Sequence, residues 1–245
     1  MTKNIGESKI SVPSTAILIP AFNEEEVIAE VIQEIRLACA FPIFVIDDAS
    51  TDNTITEAEN AGAMVIPLSA QLGAWGAMQT GLRYALRNGY EMFITMDADG
   101  QHEANSLAEL IRPVSKGIAD VSVGACTERG SILRHVAWSI MKKCSGLTLE
   151  DITSGFRVYN LKAVRELASW RATLLDYQDI GVLLLLQKKG LQIVDINVPM
   201  QPRRNGKSHI FNSWLTVMYY MVQALTLGVS KRRLAGRDRN PRVTD

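Results

Sequence analysis

The stretch FITMDADGQH, residues 93–102, decides how the rest of this 245-residue chain is interpreted. It begins as an apolar run with β-strand character and ends in two carboxylates one residue apart, followed by an amide and an imidazole. In α/β folds, ligands collect at the carboxyl ends of parallel strands, where two carboxylates repel each other unless a cation lies between them. Gly100 predicts a turn after the strand, which lets neighbouring oxygen atoms converge. The stretch therefore predicts a divalent-cation site at Asp97, Asp99 and Gln101, although a solvated Asp-Gly loop has the same local pattern.

The composition is that of an ordinary globular protein, with 47% hydrophobic and 21% charged residues, and the length allows one large α/β domain or two small ones. The formal net charge is zero, so the chain lacks the overall basic charge of a nucleic-acid-binding protein and no nucleic-acid partner is expected. Cys39, Cys126 and Cys144 show neither CxxC pairing nor metal-ligand spacing, which indicates buried thiols in a reducing compartment. Residues 1–13 are polar and lack the apolar core of a signal peptide, so we expect a flexible N-terminus and a cytoplasmic location.

Apolar runs alternate with helical patterns through the first half of the chain. Besides the run at residue 93, strands are predicted at residues 15–20, 41–46, 64–68 and 119–125, and a last strand at 192–200. This β-α alternation predicts an α/β fold with a doubly wound, mainly parallel sheet. No GxGxxG motif follows the first strand, which argues against a dinucleotide-binding fold.

A second pair of carboxylates, Asp47 and Asp48, follows the second predicted strand. A helix cap would explain Asp52 nearby, but it does not explain the adjacent pair. A ribose or nucleobase offers hydroxyl and N–H donors that a carboxylate accepts, so the pair is a candidate nucleoside-binding site. At the end of the first strand, Asn23 and Glu26 fit a capping box that would open the first helix.

Further candidate residues lie in the second half of the chain. Arg134 shares a helical face with Trp138 and Lys142, which is either a solvated face or a surface for an anionic, lipid-linked substrate near a membrane. Asp179 heads an apolar helix over residues 180–186. It is either a helix-start carboxylate or an acid/base group of an acceptor site.

The C-terminal part of the chain combines a basic loop with an apolar segment. Residues 201–209 hold three cations around a glycine, among them Arg203 and Lys207, a composition suited to binding phosphates. Residues 210–230 contain no charged side chain, and polar side chains recur there at steps of three and four. This pattern predicts an amphipathic helix in the membrane interface, with a single membrane span or a core helix of the domain as alternatives.

Four motifs, in order, resemble the family 2 glycosyltransferases with the GT-A fold, in particular the dolichol- and polyprenyl-phosphate mannose or glucose synthases. The motifs are ILIPAFNE at residues 17–24, VIDDAS at 45–50, MDADGQH at 96–102 and TSGFR at 153–157. The resemblance runs over residues 15–209, most of the chain. It implies a GT-A domain over residues 1–209 and a membrane-associating helix with a basic tail over residues 210–245.

The resemblance also implies roles for individual residues. Those expected to bind the nucleotide sugar are Pro20, Phe22, Glu24, Asp47, Asp48, Asp97, Ala98, Arg203 and Lys207. Asp97, Asp99 and Gln101 are expected to hold Mg²⁺ or Mn²⁺ on the donor diphosphate, and Asp99 is also expected to be catalytic. Those expected at the acceptor site are Arg134, Ser154 and Arg157, with Asp179 as the catalytic base for a hydroxyl acceptor.

Together these features predict a metal-dependent, inverting hexosyltransferase associated peripherally with the cytoplasmic face of a membrane. It would move a sugar from a UDP- or GDP-linked donor to a polyprenyl or dolichyl phosphate, or to a lipid-linked glycan, with a small membrane protein as a further partner. The alternatives are transfer to a saccharide hydroxyl in polysaccharide assembly, nucleotidyl transfer, and a non-catalytic sugar-nucleotide-binding subunit. Two features depart from the family pattern: VGAC at residues 123–126, where VGSR is common, and His209, where the basic loop usually ends in lysine.

Overall fold

The computed structural model describes residues 13–126, 149–151, 154–173 and 180–201. The strands in these ranges are β1 (Thr15–Ala21), β2 (Ile43–Asp47), β3 (Met64–Pro67), β4 (Met92–Thr95), β5 (Val121–Ala125), β6 (Arg157–Asn160) and β7 (Ile193–Asn197). The helices are α1 (Ile28–Ala38), α2 (Thr54–Asn60), α3 (Gly73–Arg87), α4 (Leu107–Ser115), α5 (Leu161–Leu167), α6 (Trp170–Thr173) and α7 (Ile180–Lys188). A 3₁₀ turn over Ala104–Ser106 precedes α4.

The seven strands form one sheet in the order β3-β2-β1-β4-β6-β5-β7. β1 to β4 are parallel to one another, and β7 is parallel to β5. β6 lies antiparallel between β4 and β5, with Arg157 at its start paired with Thr95 at the end of β4. This antiparallel entry brings the turn before β6 beside the carboxyl end of β4. The predicted α/β fold with a mainly parallel sheet is confirmed.

Apolar clusters cover both faces of the sheet. Ala16 and Leu18 of β1 belong to the cluster that contains side chains of α3, whereas Ile17 and Ile19 belong to the cluster that contains side chains of α1. Successive side chains of a strand point to opposite faces, so a strand buried on both faces needs a continuous apolar sequence. Each fully buried leucine or isoleucine of this kind contributes about 1.5–3 kcal/mol to the free energy of folding.

The predicted capping box of Asn23 and Glu26 at the start of α1 is wrong. Val27, the residue before α1, makes no side-chain cap. The Glu24 carbonyl instead accepts a hydrogen bond from the Val27 N–H at 3.1 Å. Asn23 has a φ of 54° and uses its side-chain oxygen to accept the Thr51 N–H, at 2.9 Å. A contact with the neighbouring loop has therefore replaced the local cap, in a left-handed conformation that asparagine tolerates.

Several predicted features lie outside the described residues. They are the cationic helical face around Arg134, Asp179, Cys144, the basic loop beyond residue 201 and the apolar segment at 210–230. Of the other two cysteines, Cys126 is buried as predicted, but Cys39 is only half-buried, and partial burial raises the pKa of the Cys39 thiol. Within the described parts of the chain, no helix has the length and apolar character needed to cross a membrane.

Candidate active site

The carboxyl ends of three parallel strands bring the predicted acidic residues to one edge of the sheet. β1 and β2 are in register so that Ala21 pairs with Asp47, the last residue of β2. Thr95, the last residue of β4, pairs with Leu18, so the acidic segment after β4 begins alongside the end of β1. In parallel α/β sheets this edge is where ligands bind. It is the candidate active site.

Hydrogen bonds join the loops that follow β1 and β2. The Asn23 N–H donates to Ser50 Oγ at 2.9 Å, and the Thr51 N–H donates to Asn23 Oδ1 at 2.9 Å. Further along, the Glu24 N–H donates to Thr54 Oγ1 at 2.8 Å. These bonds fix the two loops relative to each other at the acidic edge.

Asp52 links the same two loops through hydrogen bonds to their backbone. Its Oδ2 accepts the Glu25 N–H at 3.2 Å, and its Oδ1 accepts the Thr54 N–H at 3.0 Å. Burial by itself raises the pKa of Asp52, but hydrogen bonds from the Thr54 side chain and from backbone N–H groups outweigh it, so the pKa of Asp52 is lowered from its ordinary value. The loop pair is thus built around an ionised carboxylate.

Asp48 binds the backbone that leads into α3. Its Oδ1 accepts the Leu72 N–H at 2.7 Å, and its Oδ2 accepts the Gly73 N–H at 2.9 Å. N–H groups in the first turn of a helix lack partners within the helix. The buried Asp48 carboxylate, directly after β2, therefore accepts hydrogen bonds from these N–H groups and links α3 to the sheet. Each of its oxygens retains a second lone pair, and its contact with a nucleoside stays a prediction.

Asp47 differs from Asp48 because one of its oxygens has no protein partner. Its Oδ2 accepts the Ser50 N–H at 3.1 Å. Its Oδ1 is buried and has no hydrogen-bond partner among the residues that the structure describes. A buried polar atom without a partner costs free energy, and a ligand that donates a hydrogen bond removes this cost. Asp47 is therefore well suited to accept a hydrogen bond from a ligand.

The chain turns sharply after β4, as predicted. Gly100 has a φ of 71°, a conformation that glycine adopts without steric cost. Asp99 Oδ1 accepts the Gln101 N–H at 3.1 Å, and Ala98, Asp99 and Gln101 are all buried. The Gln101 carbonyl accepts the Gln201 N–H at 2.9 Å. The turn thus places the Gln101 amide next to the Asp99 carboxylate.

Asp97 lies against an imidazole and a glycine. Its Oδ2 is 3.0 Å from His102 Nε2. A Cβ atom placed on Gly155 would come within 3.0 Å of both carboxylate oxygens of Asp97, so a side chain at residue 155 would displace that carboxylate. The Asp97 side chain nevertheless remains 35% exposed, whereas the His102 side chain is 2% exposed. The carboxylate is held from the protein side and is accessible to a ligand from the solvent side.

The turn before β6 forms the wall beside this acidic segment. The Gly155 carbonyl accepts the Thr95 hydroxyl at 2.7 Å, and the Ser154 carbonyl accepts Arg157 Nε–H at 2.7 Å. Arg157 is only 2% exposed, so its guanidinium supports the turn from inside the protein. The expectation that Ser154 and Arg157 contact the acceptor stays a prediction.

The side chains at this edge fit a hard divalent cation. Asp97 and Asp99 supply carboxylate oxygens and Gln101 supplies an amide oxygen, the kind of ligand that Mg²⁺ and Mn²⁺ prefer. In the described ranges no group of three or more His, Cys, Asp or Glu side chains is arranged to hold a metal ion. Mg²⁺ commonly binds through one or two carboxylates and completes its shell with substrate phosphates and water. The edge therefore fits a metal shared with a phosphate-bearing ligand.

The structure brings most of the predicted residues to this edge. Those at the carboxyl ends of β1, β2 and β4, or in the loops directly after them, are Pro20, Phe22, Glu24, Asp47, Asp48, Asp97, Ala98, Asp99 and Gln101. Ser154 and Arg157 join them through the pairing of β6 with β4. Those outside the described residues are Arg134, Asp179, Arg203 and Lys207. His102 and Gly155 were not predicted to contact Asp97, although both lie in the quoted motifs.

One family and several characterised proteins are similar to the chain in sequence. The family described as Glycosyl transferase family 2 matches residues 16–168. Polyprenol monophosphomannose synthase of Mycolicibacterium smegmatis is 26% identical over 217 residues, which cover 81% of this chain and 82% of that protein. Undecaprenyl-phosphate mannosyltransferase of Micrococcus luteus is 28% identical over 211 residues, which cover 78% of this chain and 85% of that protein.

Solved structures share the architecture. Glucosyl-3-phosphoglycerate synthase from Mycobacterium tuberculosis, crystallised with Mn²⁺, uridine diphosphate and phosphoglyceric acid, superposes with a TM-score of 0.68. The two chains are 19% identical, and the match covers 90% of this chain and 78% of that one. This similarity establishes the fold and agrees with the predicted GT-A-like architecture.

Proposed function

The chain belongs to glycosyl transferase family 2, and we propose that it transfers a sugar from a nucleotide-sugar donor to a polyprenyl phosphate at a membrane surface. The relatives from M. smegmatis and M. luteus are named for polyprenyl-phosphate mannose transfer, and each aligns with more than three quarters of this chain. This similarity supports a lipid phosphate as the acceptor over a saccharide hydroxyl.

One observation carries the proposal: an acidic pair follows β4, and its first member is held in place by the protein. Asp97 contacts His102 and abuts Gly155, and Asp99 is buried in the same turn. A solvated Asp-Gly loop would leave these side chains exposed and without fixed contacts. An acidic pair at the ligand-binding edge of the sheet is instead what a metal-bound diphosphate requires.

Asp97, Asp99 and Gln101 would hold Mg²⁺ or Mn²⁺ together with the donor diphosphate. When bound, the ion supplies positive charge that stabilises the departing nucleoside diphosphate. The structurally similar M. tuberculosis enzyme was crystallised with Mn²⁺ and uridine diphosphate, which supports the same class of metal here. Arg203 and Lys207 would add positive charge beside the same phosphates.

The proposed transfer forms one bond and breaks one. An oxygen of the acceptor phosphate attacks C1 of the sugar on the face opposite the diphosphate. The bond between C1 and the diphosphate oxygen breaks, its electron pair leaves with the nucleoside diphosphate, and the anomeric configuration inverts. A phosphate acceptor is already anionic and needs no base, whereas a hydroxyl acceptor would need one, for which Asp179 is the candidate.

The nucleoside would bind at the ends of β1 and β2. Asp47 Oδ1, which lacks a partner among the described residues, would accept an N–H or hydroxyl hydrogen of the base or ribose. Pro20, Phe22 and Glu24 are half-buried next to it and would form the walls of this subsite. Asp48 would contribute through lone pairs that Leu72 and Gly73 do not use.

The acceptor would approach from a membrane. We place Arg134, Ser154 and Arg157 on the acceptor side and assign residues 210–245 to membrane association, with a small membrane protein as an optional partner. In a vesicle pelleting assay, a chain truncated after residue 209 should stay in the supernatant while the full chain pellets. Pelleting of the truncated chain would refute this assignment of the tail.

Activity is tested with purified full-length protein, Mn²⁺, a panel of UDP- and GDP-linked sugars, and polyprenyl phosphate in detergent. Radiolabel should move from one donor into the organic phase, with equimolar release of the nucleoside diphosphate. The anomeric configuration of the product, read by NMR, tests inversion.

Two variants sharpen this assay. Asp99→Asn should nearly abolish transfer. Glu109→Gln also replaces a carboxylate with an amide, but on the exposed face of α4, and should leave transfer unchanged. Free labelled sugar with no label in the organic phase would mean that the donor is hydrolysed, which would refute polyprenyl phosphate as the acceptor. Donor binding without turnover would favour the non-catalytic sugar-nucleotide-binding subunit, and absence of both turnover and binding would overturn the enzymatic proposal.

A further inference from the structure

His102 lies directly after the proposed metal ligands, and its imidazole contacts one of them. His102 Nε2 is 3.0 Å from Asp97 Oδ2, and the His102 side chain is 2% exposed. An ionised carboxylate accepts hydrogen bonds only, so Nε2 carries the proton in this contact. The contact therefore fixes both the tautomer of the imidazole and one oxygen of Asp97.

The imidazole is itself held in place on the protein side. Its ring centroid lies 5.1 Å from that of Phe156, with 31° between the planes. The His102 backbone forms an antiparallel bridge with Met200, and the neighbouring Gln101 carbonyl accepts the Gln201 N–H at 2.9 Å. The position of Nε2 is thus set by packing and by backbone pairing.

The second ring nitrogen indicates what this placement serves. His102 Nδ1 is buried and has no hydrogen-bond partner among the described residues. Buried polar atoms normally have hydrogen-bond partners. Among the described residues only Nε2 of this ring has one, so the contact with Asp97 is the polar interaction that the ring position serves.

We propose that His102 is a positioning residue that holds Asp97 in the orientation that binds the metal and the donor diphosphate; this inference rests on the proposed function. Asp97 is fixed by the hydrogen bond from His102 and by the close approach of Gly155. Hydrogen bonds to metal-ligating side chains orient those ligands, and their loss typically weakens metal binding about 10- to 100-fold.

The test compares two substitutions, one that keeps the ring and one that keeps the hydrogen-bond donor. His102→Phe retains a ring beside Phe156 but has no N–H donor. His102→Gln ends in an amide that donates from about the position of Nε2. Mn²⁺ binding is measured from the electron paramagnetic resonance signal of free Mn²⁺, with and without added UDP or GDP. His102→Phe should weaken binding about 10- to 100-fold, and His102→Gln should recover most of that loss.

The outcomes separate this inference from the proposed function. If the wild-type protein binds Mn²⁺ and His102→Phe binds it equally well, the positioning role is wrong while the metal site stands. If the wild-type protein does not bind Mn²⁺ even with a nucleoside diphosphate, the metal site fails and the positioning role fails with it.

A measurement on the wild-type protein covers the case in which His102→Phe does not fold. The protein labelled with ¹⁵N-histidine gives ring signals for its three histidines, and the His102 signals are those that vanish in His102→Gln. A ring protonated at Nε2 is expected. A ring protonated only at Nδ1 would overturn the proposal, because it could not donate to Asp97.

Discussion

Replacing Gly155 with alanine should displace the Asp97 carboxylate and weaken metal binding about 100-fold. The new Cβ would lie within 3.0 Å of both carboxylate oxygens, whereas ordinary contact distances start at 3.4 Å. The backbone cannot easily retreat, because the Gly155 carbonyl is bonded to the Thr95 hydroxyl at 2.7 Å. The carboxylate must therefore move by roughly 1 Å, and metal–ligand distances tolerate only about 0.2 Å.

The assay separates binding from stability. Mn²⁺ affinity and kcat/KM are measured at a temperature at which urea unfolding curves show both proteins to be folded. A loss of about 100-fold in kcat/KM corresponds to about 2.7 kcal/mol of transition-state stabilisation. Overpacking should also lower the free energy of unfolding by about 1–3 kcal/mol, which the urea curves report independently.

Gly81→Ala is the matched control. It makes the same exchange at a buried glycine of α3, where the new Cβ would crowd the apolar side chain of Ile46 and make ordinary contact with Leu18. It should lower stability without changing Mn²⁺ affinity. The reasoning is refuted if Gly155→Ala binds Mn²⁺ and turns over donor like the wild type, or if Gly81→Ala loses as much affinity as Gly155→Ala.

Three further predictions concern the loops around the site, all measured by urea unfolding. Asp48→Asn should lower the free energy of unfolding by about 1.5–3 kcal/mol, because an amide has one acceptor oxygen for the two N–H groups of Leu72 and Gly73; an unchanged midpoint would contradict this. Ala49→Gly should raise the free energy of unfolding by roughly 0.5–1 kcal/mol, because Ala49 has a φ of 61°, a left-handed conformation that glycine adopts at lower cost. A lower unfolding midpoint would count against this prediction. Asp52→Asn should be destabilising at neutral pH. Because the folded-state pKa of Asp52 is lowered, its stabilisation is complete above its ordinary pKa and is lost as pH falls through the folded value, so wild type and variant should converge in acid.

Three strands of the parallel part of the sheet were predictable because both of their faces are buried. β1, β2 and β4 are continuous apolar runs, and the structure places each within a few residues of its predicted bounds. The direction of β6 was not predicted, because it depends on pairing between residues far apart in sequence. Thr95 and Arg157 are partners in that pairing, and nothing in either local sequence specifies it.

The same division between local and distant contacts holds for the site. The acidic residues at the ends of β2 and β4 were identified from short motifs, and Gly100 correctly predicted the turn. The capping box failed because Asn23 bonds to Thr51 in another loop, a tertiary contact that overrides the local pattern. The capping of α3 by Asp48 likewise joins segments that only the folded sheet brings together.

The charge of the site explains why a cation is needed in the proposed reaction. Asp47, Asp48, Asp97 and Asp99 all lie at one edge of the sheet, while the chain as a whole has no net charge. A nucleoside diphosphate is itself anionic, and like charges brought close together at a partly buried site repel each other. A divalent cation held by Asp97 and Asp99 would supply the positive charge that offsets this repulsion. The acidic edge would therefore reject the donor alone and accept it with its metal, which makes the metal a condition of binding as well as of catalysis.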